Sequence, residues 1–161
     1  MKLNIVLFEP EIPENTGNIS RSCVGFNAKL HLIRPFGFIL DDKRMKRAGL
    51  DYWDFLIKQE YDNWDDFESK NILNRNSKIF LITKFGEKKL SDLENKDFEN
   101  FENIYFVFGK ETKGLSSEIM KKYENNQRKI NMNSNIRSFN LSNTVAIVSH
   151  HFHYLTKFKY I

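Results

Sequence analysis

The amino-acid sequence predicts an α/β fold, a mostly parallel sheet covered by helices on both faces. Two observations carry that prediction. Residues 3–8, 30–33, 78–83 and 104–108 form short apolar runs, most containing β-branched or aromatic side chains, the pattern of strands buried on both faces. Stretches of helical spacing lie between them, and strands alternating with helices imply parallel pairing.

In chain order, the first strand candidate feeds a helix over about 15–26, with Ile19, Cys23 and Phe26 on one face. Asn15 and Thr16 are expected to cap it, leaving free amides that attract an anion. A second helix is expected over about 63–73, with Trp64, Phe67 and Leu73 apolar. A third opens at Ser116, where Ser116-Ser117-Glu118 supplies a cap and an early acid. The last helix is the most regular: Leu141, Val145, Val148, Phe152 and Leu155 recur at spacings of 4, 3, 4 and 3. That stripe suits either a helix covering the sheet or a seam against a second subunit.

The 161 residues fit one domain spanning 1–161, with 40% hydrophobic and 29% charged residues, and no repeat or linker divides them. The single Cys23 cannot form an internal disulfide, which points to a reducing, cytoplasmic setting. No stretch approaches the roughly 20 apolar residues of a membrane span, and the run at 3–8 is too short for a secretory signal. The net charge of +4 is unevenly distributed: residues 1–50 sum to +3, 51–102 to −5 and 103–161 to +6. Basic ends favour an anionic partner such as nucleic acid, though scattered solvated lysines give the same sum.

Three segments carry more than structure. Residues 9–21, Glu-Pro-Glu-Ile-Pro-Glu-Asn-Thr-Gly-Asn-Ile-Ser-Arg, run from strand into helix, the junction where open α/β sheets bind ligands. Asn18, Arg21 and Ser22 share one helix face there. Residues 108–116 make a second strand-to-helix loop with Gly109 and Gly114. It fails the Walker pattern, because Leu115 stands where lysine is required, and it fails the dinucleotide pattern too. What remains is a glycine-hinged loop whose backbone can wrap a small ligand. Residues 136–146 form a run of Ser and Asn leading into the last helix, with Ser138 or Asn140 as its cap and Ser142 and Asn143 in its first turn.

Taken in order, Glu-Pro-x-x-Pro-x-Asn-x-Gly-Asn-Ile-x-Arg, Phe-Gly-x-Glu-x-x-Gly-Leu and Arg-Ser-x-Asn-Leu-Ser-Asn resemble the three signature motifs of the SPOUT RNA methyltransferases. Residues 41–52, Asp-Asp-Lys-Arg-Met-Lys-Arg-Ala-Gly-Leu-Asp-Tyr, are further similar to the small single-domain tRNA (cytidine/uridine-34)-2′-O-methyltransferases. The resemblance covers nearly the whole chain and implies a C-terminal deep trefoil knot over about 78–143. It implies S-adenosylmethionine as cofactor, with S-adenosylhomocysteine as product, held at Ile82, Gly109, Ile130 and Ser138 with Met132 beside them. It implies Arg21 at the reacting ribose, either taking the proton or orienting the hydroxyl, with Asn18 positioning it and Ser142 and Asn143 completing the pocket. Glu111 anchors the loop or a neighbouring cation. Lys43, Arg44, Lys46 and Arg47 are expected on a short helix contacting RNA phosphates.

The expected partners are the anticodon arm of tRNA and a second copy of the chain, a homodimer built on the helices at 15–26 and 141–155. The end of the last helix, His150-His151-Phe152-His153, departs from the family, where an aromatic residue is usual near His150. His150 and His153 lack a third ligand in the following turns, so no metal is expected. Two other readings stay open: 2′-O-methylation of another tRNA position or of rRNA, and a catalytically silent RNA-binding module.

Overall fold

A computed structural model describes residues 1–40, 52–73 and 76–161. Six strands form a single sheet: β1 (Lys2–Phe8), β2 (Lys29–Ile33), β3 (Lys58–Tyr61), β4 (Ser77–Ile82), β5 (Asn103–Phe108) and β6 (Gln127–Arg128). Their order is β3-β2-β1-β5-β4-β6, and every pairing is parallel. Among the described residues the α-helices are α1 (Pro13–Gly25), α2 (Trp64–Asn71), α3 (Ser117–Lys122) and α4 (Leu141–Leu155).

Side chains alternate across each strand, so the sheet has two cores. Leu3, Ile5 and Leu7 of β1 join Leu30, Leu32, Phe80 and Phe106 beneath α1 and α4. Val6 and Phe8 join Ile33, Ile79, Leu81, Tyr105 and Val107 beneath α2 and α3. A polar chain crosses this second layer. The Tyr61 hydroxyl donates to His31 Nδ1 at 2.7 Å, His31 Nε2–H donates to Asn4 Oδ1 at 3.0 Å, and Asn4 Nδ2 reaches the Ile104 carbonyl at 3.3 Å. His31 is 1% exposed, and burial holds its imidazole neutral, with a pKa pushed down to about 3.

All four strands read from the apolar runs are present. Two more strands escape that reading, and both lie at sheet edges. β3 is Lys-Gln-Glu-Tyr, with only Tyr61 buried, and β6 has two residues. Edge strands need no continuous apolar run, since one side faces water.

The heptad stripe of α4 is spent on its own sheet. Val145, Val148 and Phe152 are fully buried, and Phe152 packs on Phe98 and Phe106 at ring centroid distances of 5.2 and 6.2 Å. A seam between subunits therefore cannot use that face. His153 is also consumed internally: it is buried, its Nε2–H donates to the Phe26 carbonyl at 2.9 Å, and its ring stacks on Phe26. Among the described residues no group of three His, Cys, Asp or Glu side chains is placed to hold a metal, and no helix is long and apolar enough to cross a membrane.

Candidate active site

At the C-terminal ends of β4 and β5 the chain opens into a cleft of about 530 Å³. Three loops build it, following β4, β5 and β6, and all five residues expected to hold the cofactor line it: Ile82, Gly109, Ile130, Met132 and Ser138. Thr83, Phe85, Leu115 and Asn140 line it too. The sequence points to none of these four for cofactor binding, and only Thr83 adjoins a residue that it does point to.

The middle loop turns on its glycines. Gly114 has φ +73°, in the left-handed region, and its amide donates to the Lys110 carbonyl at 2.9 Å. A Cβ on Gly109 would sit 2.6 Å from Gly114 Cα and closer still to the Leu115 amide nitrogen. The loop is thus folded back on itself as tightly as backbone allows, and its outer edge faces the cleft.

The start of α1 differs from expectation. Asn15 and Thr16 lie inside the helix rather than capping it; Pro13 holds a first-turn position, and Ile12, the N-cap residue, supplies no side-chain bond. The cap comes from the middle loop. The Glu111 carboxylate accepts from the Glu11 amide at 2.8 Å, the Ile12 amide at 3.3 Å and Asn15 Nδ2 at 3.0 Å. The anion attracted to this helix N-terminus is the protein's own. Glu111 therefore anchors the loop, and among the described residues it makes no ion pair. Glu11 returns the contact, accepting from the Thr112 amide at 3.0 Å and its hydroxyl at 2.8 Å, and these bonds hold its carboxyl below the usual range. Lys110 pairs with Glu9, which leaves β1 with φ 49°.

Asn15 is the hub. It is 5% exposed, donates to Glu111 and accepts from Asn140 Nδ2 at 2.9 Å. Asn140 is the cap of α4: its Oδ1 accepts from the Ser142 amide at 2.8 Å, the Ser142 hydroxyl at 2.7 Å and the Asn143 amide at 3.4 Å. One polar network thus joins the three sequence motifs. Ser142 is buried within it, whereas Asn143 is exposed on the first turn.

Asn18 and Arg21 lie on the exposed face of α1 and do not line the cleft. Ser22, on the same face, donates to the Asn18 carbonyl at 3.3 Å. The Arg21 guanidinium carbon lies 4.9 Å from the centre of the Tyr52 ring, and the Tyr52 hydroxyl donates to the Gly17 carbonyl at 3.0 Å. Tyr52 closes the 41–52 stretch, but its sequence position gave no sign that it reaches α1. Lys43, Arg44, Lys46 and Arg47 fall outside the described residues.

The model of the SpoU rRNA methylase family matches residues 2–150. The chain belongs to the SpoU methylase family. Among its relatives, a Listeria innocua protein named "Putative tRNA (cytidine(34)-2′-O)-methyltransferase" is 50% identical over 150 residues, covering 93% of this chain and 86% of the relative. A crystal structure of a "putative RNA methyltransferase from Bacillus anthracis" superimposes with a TM-score of 0.89 at 41% identity, covering 98% and 96% of the two chains. Another, described as giving "structural insights into the 2-OH methylation of C/U34 on tRNA", has a TM-score of 0.86 at 33% identity and covers 98% of each. SpoU methylases of this length are therefore similar to the present chain from end to end, not over one module.

Proposed function

We propose that this SpoU methylase transfers a methyl group from S-adenosylmethionine to the ribose 2′-hydroxyl of the tRNA wobble nucleotide, position 34. The observation that carries the reading is the convergence on one cleft of the loops after β4, β5 and β6, which bring Ile82, Gly109, Ile130, Met132 and Ser138 together. End-to-end similarity to proteins named for that reaction supports it.

The residues fit the cofactor. The cleft volume lies in the ordinary range for small-molecule sites, roughly 300–1,000 Å³. Apolar Ile82, Leu115, Ile130 and Met132 suit an adenine ring, while Ser138 and the backbone around Gly109 offer polar contacts. When bound, the cofactor supplies an electrophilic methyl group on sulfur and leaves as S-adenosylhomocysteine.

Arg21 orients the 2′-hydroxyl. Its guanidinium donates hydrogen bonds to the oxygen instead of acting as a free base, and a substrate phosphate takes the proton. Asn18, one turn away on the same face, positions the substrate, while Ser142 and Asn143 hold the start of α4 against the site. The basic set Lys43, Arg44, Lys46 and Arg47 contacts phosphates of the anticodon arm, a reading that rests on charge alone.

The chain acts as one domain and as a homodimer. Two features support the dimer: Arg21 and Asn18 are exposed beyond the cleft, and the outer face of α4 presents Ile147 and Tyr154 to solvent. The trefoil knot belongs to the same reading. The segment after β4 runs parallel beside the chain leaving β6, where the Leu90 amide donates to the Lys129 carbonyl at 2.8 Å and the Lys129 amide to the Lys88 carbonyl at 2.9 Å. A cytoplasmic location accords with a tRNA substrate.

Single-turnover methylation at saturating cofactor and tRNA tests the assignment. Arg21→Ala is expected to fold and bind cofactor normally, yet to lose about two orders of magnitude in rate. Turnover within a few-fold of the parent would overturn the role of Arg21. Nucleoside mass spectrometry of tRNA from a deletion strain checks the position methylated.

A further inference from the structure

We propose that Tyr52 is a positioning residue for the reaction, fixing the Arg21 guanidinium by gripping it from its face and from the helix turn beneath it. The inference rests on the reading of Arg21 given above.

Three observations meet at this pair. The Tyr52 ring lies 4.9 Å from the Arg21 guanidinium carbon. The Tyr52 hydroxyl donates to the carbonyl of Gly17 at 3.0 Å. Gly17 is four residues before Arg21 inside α1, so its carbonyl is also the helical acceptor of the Arg21 backbone amide. Tyr52 therefore touches both ends of the arginine: the cationic head through its ring, and the turn that sets the Cα through its hydroxyl.

An aromatic partner does what a carboxylate could not. A carboxylate would occupy the N–H donors of the guanidinium and neutralise its charge. A ring attracts the cation by its face and leaves the five in-plane donors free for a hydroxyl or a phosphate. Among the described residues Arg21 makes no ion pair, unlike Arg34, which is paired with Glu60 at 2.6 Å. Arginine carries many rotamers, and an exposed one would otherwise spend much of its time out of line with the reacting oxygen. Misplacement of about 1 Å is enough to cost on the order of a hundredfold in rate.

The test is a double-mutant cycle in single-turnover methylation, with cofactor affinity and melting temperature measured on each protein. Tyr52→Leu is expected to lower the rate at saturating tRNA and cofactor about 10- to 100-fold while cofactor affinity stays within about twofold. Tyr52→Phe keeps the ring and is expected to recover most of that loss. In the Arg21→Ala background Tyr52→Leu should remove no further rate, because Tyr52 acts through Arg21. Should Tyr52→Leu fail to fold, Tyr52→His supplies the readout. Its imidazolium repels the guanidinium, so its rate should fall relative to the parent as pH drops below about 6.5. A Tyr52→Leu protein at parental rate, independent losses from the two positions, or a Tyr52→His profile that tracks the parent would each overturn the proposal. An Arg21→Ala protein at parental rate would instead overturn the reading of Arg21 itself, so the two failures are distinguishable.

Discussion

Replacing Glu111 with alanine strips the N-terminus of α1 of its cap from a residue about a hundred positions away in sequence. The carboxylate accepts three hydrogen bonds, from two backbone amides and from Asn15. Hydrogen bonds to charged groups contribute about 1.5–3 kcal/mol each when buried. One of these three is exposed and the others are partly buried, so a total loss of about 2–3 kcal/mol is expected. At this chain length that corresponds to a fall in melting temperature of roughly 4–12 °C. Asn15→Ala removes a partner shared with Glu111, so the two losses should not add. Urea unfolding of both single variants and the double variant should show a coupling of about 1 kcal/mol, within the range for contacting residues. Cofactor affinity should fall in all three, since Asn15 and Glu111 both border the cleft. Additive losses, or a Glu111→Ala protein within about 0.5 kcal/mol of the parent, would show that the network is incidental and that α1 is held by its packing.

Two further outcomes follow from the same geometry. Gly109→Ala forces a Cβ into the Gly114 backbone, so the loop must open. Calorimetry is expected to show cofactor affinity reduced tenfold or more, whereas Gly114→Ala, with open space but φ +73°, should cost stability and less affinity. The buried His31 adds a pH dependence: its pKa falls from 6.5 unfolded to about 3 folded because burial disfavours the charged ring. Above pH 6.5 both states are neutral and its full contribution is present; as pH falls through 6.5 the unfolded chain takes up the proton and stability drops. Between pH 7.5 and 5.5 the loss should be about 1.4 kcal/mol by urea unfolding. That loss should be missing from His31→Gln, and an equal slope in that variant would assign it elsewhere.

The inner sheet and the residues that line the cleft were legible because both are written in short contiguous segments. A run such as 104–108 must be buried on two faces, and a Gly-x-Glu-x-x-Gly-Leu loop states its own hinges. What escaped was set by partners distant in sequence. Nothing local to Pro13 or Ile12 says that Glu111 will cap the helix, so the sequence points instead to Asn15 and Thr16. The stripe of α4 has the same spacing whether it meets a sheet or another helix, and only the buried Phe152 against Phe98 and Phe106 decides it. Tyr52 was hidden for the same reason, since a tyrosine after a basic stretch says nothing about an arginine 31 residues earlier.

The arrangement divides labour between rigid and exposed parts of the molecule. The loops after β5 and β6 are tied to each other and to α1 and α4 through Glu111, Asn15 and Asn140, with Asn15 bonded to both of the others. Arg21 stands on the same α1 helix, less than two turns beyond Asn15, outside the cleft and exposed. Helix geometry therefore transmits position from the network to Arg21 at a fixed rise, about 1.5 Å per residue, and the Tyr52 ring meets the guanidinium at its face. A cofactor that tightens the three loops would settle Asn15 and, with it, the axis on which Arg21 is carried. With the roles proposed above, cofactor binding and hydroxyl orientation share one rigid body without sharing a residue. This is the physical reason that losses at Gly109 should appear in affinity, whereas losses at Arg21 and Tyr52 should appear in rate.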